Sequence, residues 1–190
     1  LGADLSRSGE TRLDASTCDC CQTDVAYAGD TPVLAYRDRT AAEIRDIAVV
    51  RLEDGRWSSP AIVHDDAWTM PACPVNGPAV AAEGDDLVVA WYTAAGGTPQ
   101  LRLAGSNDGG TSFAAPVQLD AGDAVMGRVD VALEDGLAWV AWMREDASGQ
   151  TLRLARRAAD GSAAGPGLDV AAVAGRGRGT GFPQLALLDD

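Results

Sequence analysis

The sequence contains no lysine, so its fifteen basic residues are all arginines, and it has a single histidine, His64. Twenty-eight acidic residues bring the net charge to -13, which makes nucleic acid and anionic membranes unsuitable partners. No apolar run approaches the roughly 20 residues that a membrane-spanning helix requires. A helical period is missing as well: apolar residues alternate two by two between Gly, Pro and Asp turns, which excludes a helical solenoid. Nor is the chain poor in apolar residues, as a disordered protein would be. With 46% hydrophobic and 23% charged residues in 190 positions it can bury a core as one domain. The first residue is Leu1, so no leader peptide is visible and export is expected on other grounds.

The stretch Ser106-Asn107-Asp108-Gly109-Gly110-Thr111-Ser112-Phe113 has the chemistry of a tight hairpin turn. An Asp can accept backbone N–H groups, two glycines can take positive φ, and Thr and an aromatic follow. The flanking runs Gln100 to Ala104 and Pro116 to Leu119 alternate apolar with polar, as half-buried strands do. This order recurs along the chain. Apolar strand centres at Val25, Val80, Val131 and Leu185 lie 55, 51 and 54 residues apart, and a turn and a second strand follow each of the first three. Tyr36, Trp91 and Trp142 hold one equivalent position in those second strands. A third strand comes next, then a glycine turn, then Pro60, Pro116 or Pro166 opening a fourth. Glu53 to Trp57 and Asp160 to Ser162 are weaker versions of the Asp108 turn.

Four short antiparallel strands every fifty or so residues are the pattern of β-propeller blades, so the expected fold is all-β. The expected division is the end of a preceding blade in 1–16, blades in 17–68, 69–120 and 121–174, and the first strand of a further blade in 175–190. A closed ring usually has at least ~4 blades. Three complete blades with partial ones at both ends therefore point to a fragment of a six-bladed propeller, closed by missing blades or a second chain.

Ser106, Asp108, Gly110, Thr111 and Phe113 resemble the structural Asp-box of the sialidase-like, or BNR-repeat, β-propellers, and the repeat region as a whole resembles bacterial-type exported members of that family. The resemblance implies a site with three arginines on the substrate carboxylate, a Tyr nucleophile assisted by Glu, and an Asp acid/base. Candidate catalytic or anion-binding residues are Arg37, Arg45, Arg128 and Arg178, with Asp38 or Asp46 for acid/base work. No complete set can be assigned, and the Arg-Ile-Pro motif of the family has no match, Gly181-Phe182-Pro183 standing in its place. The leading expectation is accordingly a small-molecule or glycan ligand on a face lined by Cys, Arg and Asp. The alternative is an exo-sialidase-type glycoside hydrolase whose catalytic set is completed by absent blades. A plainer role for Arg37, Asp38, Arg45 and Asp46 is a salt-bridged pair bracing the loop between second and third strands.

In a four-stranded meander those loops share one end with the blade-to-blade links, and the Asp108 turn sits at the other. The loop end gathers Arg37, Arg45, Trp68 and Arg128 as candidate ligand-binding residues, and all four cysteines. Cys18 and Cys73 precede Val25 and Val80 by the same seven residues, so they occupy equivalent places and can approach each other. Two readings stand for the cluster. One is disulfide bonding in an exported protein, periplasmic or extracellular, with Cys18 joined to Cys73. The other is a soft metal, copper or zinc, on the thiolates of Cys18, Cys20, Cys21 and Cys73, with His64, Met70 or Met126 as helpers. Trp68 is expected to stack on a ligand or to cover the cysteines. Tyr27 and Tyr36 are expected in the core.

Overall fold

The computed structural model describes residues 9–162, 165–174 and 181–188. These residues form three antiparallel sheets and one short 3-10 turn, Ala95–Gly97, with no α-helix among them. The first sheet holds β1 (Asp24–Ala28), β2 (Thr31–Arg37), β3 (Ile47–Glu53), β4 (Arg56–Trp57) and β5 (Ala61–Ile62), with β4 and β5 both pairing β3. The second runs β6 (Ala79–Glu83), β7 (Asp86–Thr93), β8 (Gln100–Ser106), β9 (Val117–Ala121) in chain order. The third repeats the meander with β10 (Val125–Glu134), β11 (Leu137–Asp146), β12 (Gly149–Ala158) and β13 (Leu168–Val173). Val25, Val80 and Val131 face Leu34, Val89 and Val140 across the first pair of strands in each sheet, so the repeat alignment holds at the level of register.

Two-residue alternation explains how the sheets stack. In β7, Leu87, Val89 and Trp91 join Val33, Ala35, Ile47 and Val49 of the first sheet in one core, while Val88 and Ala90 join Val131, Leu133, Val140 and Trp142 of the third in another. A central strand buried on both faces has to be apolar throughout, which is why β7 reads as a continuous run. Each such side chain, removed from water, contributes about 1.5–3 kcal/mol. First strands lie side by side from sheet to sheet, β1 against β6 and β6 against β10, an arrangement consistent with propeller blades.

One polar contact repeats at every junction. Trp91 Nε1 donates to Asp66 Oδ2 at 2.7 Å and Trp142 Nε1 to Asp120 Oδ2 at 2.8 Å, while the Tyr36 hydroxyl donates to Asp14 Oδ2. In each case the buried aromatic of a second strand reaches a carboxylate 22 or 25 residues earlier, in the segment leading out of the preceding unit. A second contact also recurs: Val80 N–H donates to Asp24 at 2.8 Å, and Leu185 N–H donates to Asp130, one residue before each strand centre.

At the turn end, Asp108 accepts the Thr111 and Ser112 backbone N–H groups at 3.0 and 2.9 Å and the Ser112 hydroxyl at 2.6 Å. Gly109 and Gly110 take φ of 65° and 83°, a conformation that would strain any other residue. The turn leans on the first sheet, where Arg51 donates to Thr111 Oγ1, and Phe113 packs into the core beneath.

Several expectations need correction. Tyr27 is 64% exposed, because it shares the outer face of β1 with Val25, away from the second sheet; Tyr36 is buried as expected. Residues 11–14 form no strand, although Leu13 packs on Tyr36, Ala48 and Val50. Residues 181–188 likewise form no strand, despite the Leu185 contact. The remainder of the expected first strand, including Arg178, lies outside the described residues.

Candidate functional site

The loop end is organised by a turn in Cys18-Asp19-Cys20-Cys21. Cys18 N–H donates to the Arg37 carbonyl at 2.9 Å, and Cys21 N–H closes the turn on the Cys18 carbonyl at 3.3 Å. First and fourth residues of a turn lie together, so the Cys18 and Cys21 sulfurs meet at 2.8 Å, with Cys18 buried. Cys20, the third residue, reaches the neighbouring link and forms a disulfide with Cys73, Cα to Cα 6.1 Å. The expected pairing of Cys18 with Cys73 is therefore wrong by two residues: Cys18 is held inward by its bond to strand β2, and Cys20 crosses instead. The cross-link between the two units is present.

In this oxidation state Cys18 and Cys21 are the two thiols, so four thiolates do not coexist. Among the described residues the side chains close enough to share an ion are Cys18, Cys20 and Cys21, all within 4.8 Å. His64 is directed elsewhere, 3.7 Å from Asp66, and the Met70 and Met126 backbones bond to Glu43 and Asn76. Burial, with the hydrogen bond to Cys18, pushes the Cys21 thiol up to about 11, opposed by the Arg37 charge and the Asn76 N–H.

Arg37 ends β2 beneath this cluster and is 1% exposed. Its Nε donates to the Asn76 carbonyl at 2.7 Å, Nη2 to the Tyr92 carbonyl at 2.7 Å and Nη1 to the Arg45 carbonyl. Trp68 lies over the guanidinium, 4.9 Å from ring centroid to Cζ, and packs edge-on against Tyr92. Arg37 thereby clasps the first and second sheets, and Trp68 covers it. No carboxylate pairs with Arg37 among the described residues; burial lowers its basicity, and the sulfurs of Cys21 and Cys18 lead the groups that oppose this.

The bracing ion pairs also differ from those expected. Glu43 bridges Arg39 at 2.8 Å and Arg45 at 2.7 Å, with Glu43 itself at φ 59°. Asp46 instead accepts the Ala67 and Trp68 N–H groups at 2.9 and 3.1 Å, and burial pushes its carboxyl up. Asp38 caps the Arg39 N–H and is likewise raised by burial.

Toward the first strands a cavity of about 360 Å³ opens between Gln22, Thr23, Asp24, Ala79, Arg128, Asp130, Phe182 and Gln184. Arg128 has φ 54°, a left-handed conformation unusual for a long side chain, fixed by its N–H bonding to Asn76 Oδ1 at 2.8 Å. Its guanidinium lies 5.2 Å over the Phe182 ring. Asp130, beside it, is pushed up by burial. Asn76 is the keystone of this end: buried, it touches Arg37 through its carbonyl and Met126 and Arg128 through its amide. A larger cavity of about 520 Å³ at the turn end lies among Ser106, Ser112, Phe113 and Asp160, next to Asp108, whose carboxylate is already satisfied within its turn.

The structure thus brings Arg128 to a cavity and places Arg37 and Trp68 under cover. Asn76, Gln22, Asp24 and Asp130 were not singled out from sequence. The last two could have been, since each stands one residue before a repeat centre.

No protein-family model matches the chain, and no curated protein matches it. Among solved structures it is similar to one described as "Hadza microbial sialidase Hz136", at 19% sequence identity and a TM-score of 0.49, over 70% of this chain and 34% of that one. The chain spans about a third of the length of that sialidase.

Proposed function

We propose that this chain is part of an exported sialidase-like β-propeller whose loop face binds a small anionic or glycan ligand in the cavity around Arg128. The observation that carries this reading is Arg128 itself. A non-glycine residue in the left-handed region costs on the order of 1–2 kcal/mol. Here Asn76 holds it there, and the result is a guanidinium set on an aromatic ring at the rim of a cavity with ligand-sized volume. Thr23 and Gln184 supply neutral hydrogen-bonding groups of the kind that select a hydroxylated ligand, while the Gln22 side-chain amide is held by the Gly77 backbone. The Cys20–Cys73 disulfide supports an oxidising compartment, periplasmic or extracellular.

Binding is favoured over hydrolysis because none of the three tyrosines lines the Arg128 cavity. Tyr36 is bonded to Asp14, Tyr92 packs on Trp68, and Tyr27 lies on the outer face of β1. Calorimetric titration with N-acetylneuraminic acid as the probe tests the reading. Saturable binding is expected, weakened about tenfold or more in Arg128→Met, the equivalent of about 1.4 kcal/mol. Equal affinity in both proteins, or no binding by either, would remove it. Release of a fluorogenic aglycone from a sialoside by this chain would instead establish the hydrolase.

A further inference from the structure

The four sulfurs at the loop end form a continuous chain: Cys21 to Cys18 at 2.8 Å, Cys18 to Cys20 at 3.6 Å, and Cys20 bonded to Cys73. Cys18 and Cys21 also have the C-x-x-C spacing at which a disulfide closes within one turn. A buried guanidinium without a carboxylate partner among the described residues stands beside them, and a cation next to sulfur favours thiolate.

We infer that these cysteines are one thiol–disulfide exchange site, in which the bridge passes from Cys20–Cys73 to Cys18–Cys21. The Cys18 thiolate, having lost its proton to water, attacks Cys20 Sγ. The Cys18–Cys20 bond forms as the Cys20–Cys73 bond breaks, and Cys73 leaves as a thiolate that takes a proton from water. Cys21 then gives its thiol proton to water and attacks Cys18 Sγ as the thiolate; the Cys18–Cys21 bond forms as the Cys18–Cys20 bond breaks, and Cys20 leaves as a thiolate that takes a proton from water. One disulfide and two thiols stand on each side, so no oxidant or reductant is consumed. The exchange unties the turn before β1 from the link before β6 and offers Cys73, which is partly exposed, as a free thiol.

Cleavage after arginine reads this directly, because Cys18, Cys20 and Cys21 fall in segment 13–37 and Cys73 in segment 57–102. The protein is held at pH 8 without added thiol, quenched in acid at intervals, blocked with N-ethylmaleimide, cleaved and weighed. The cross-linked pair of segments is expected to decline with time. Segment 13–37 should then carry one internal disulfide and one maleimide, and segment 57–102 one maleimide. Cys18→Ser should keep the cross-link throughout; near-ultraviolet circular dichroism confirms that it is folded, and the wild-type time course stands without it. A cross-link that never declines in wild type overturns the inference. So does one that declines equally in Cys18→Ser, a second disulfide present from the start, or four reduced cysteines with bound copper or zinc by elemental analysis.

Discussion

Asp108 accepts two backbone N–H groups and two hydroxyls, Ser112 first among them, and these hold its carboxyl at about 2. A folded-state value below the unfolded one means that its contribution is present above about pH 4 and is lost as the pH falls toward 2. Asp108 is exposed, so solvent screens much of this, and Asp108→Ala is expected to cost about 1 kcal/mol and to flatten the acid limb of the urea midpoint between those pH values. Asp66 lies deeper, with its side chain 1% exposed, and holds both Trp91 and Arg102. Asp66→Ala leaves the buried Trp91 indole N–H unpaired and deprives the half-buried Arg102 of its carboxylate, leaving it only Gln100, so a loss of about 2 kcal/mol in chemical denaturation is expected. Asp130 moves the other way: burial raises it, so acidification neutralises it before an exposed carboxylate. The cavity loses a negative charge, and affinity for a carboxylate sugar should rise as the pH is lowered from neutral into the carboxylate range. Unchanged affinity in that window would place the ligand away from Asp130.

The Cys20–Cys73 bridge closes a separation of 53 residues, and by chain entropy such a loop is worth about 4 kcal/mol. The double variant Cys20→Ser, Cys73→Ser should melt about 10 °C lower by calorimetry. The same elements show which features sequence makes legible. Tyr36, Trp91 and Trp142 were aligned by repeat because strand side chains recur with fixed period. Of their carboxylate partners, Asp14 and Asp120 close the matching runs Thr11 to Asp14 and Val117 to Asp120, whereas Asp66 sits in a link of different length and becomes equivalent only when the sheets stack. The cysteine cluster was legible as a place, while the pairing depended on which member of a turn points outward. Arg37 read as an anion-binding residue or as one member of a salt-bridged loop pair. Nothing in its neighbours announced that three carbonyls from separate segments would enclose it.

At the scale of the molecule, the two outer sheets each present an apolar flank. Val25 and Tyr27 are exposed on the first, Leu168 and Val170 on the third. Further blades of a propeller would cover such surfaces, so the 19.6 kDa chain on its own should self-associate in light scattering, and Tyr27→Glu with Leu168→Glu should return it to monomer. The central claim, however, concerns which end of the stacked sheets meets a ligand. A ¹H–¹⁵N correlation titration with N-acetylneuraminic acid answers it most directly. Amide shifts are predicted at Gln22, Thr23, Ala79, Arg128, Asp130 and Gln184, with Asn107 to Ser112 at the opposite end unmoved. Shifts confined to the Asp108 turn, or none at any concentration, would contradict the account.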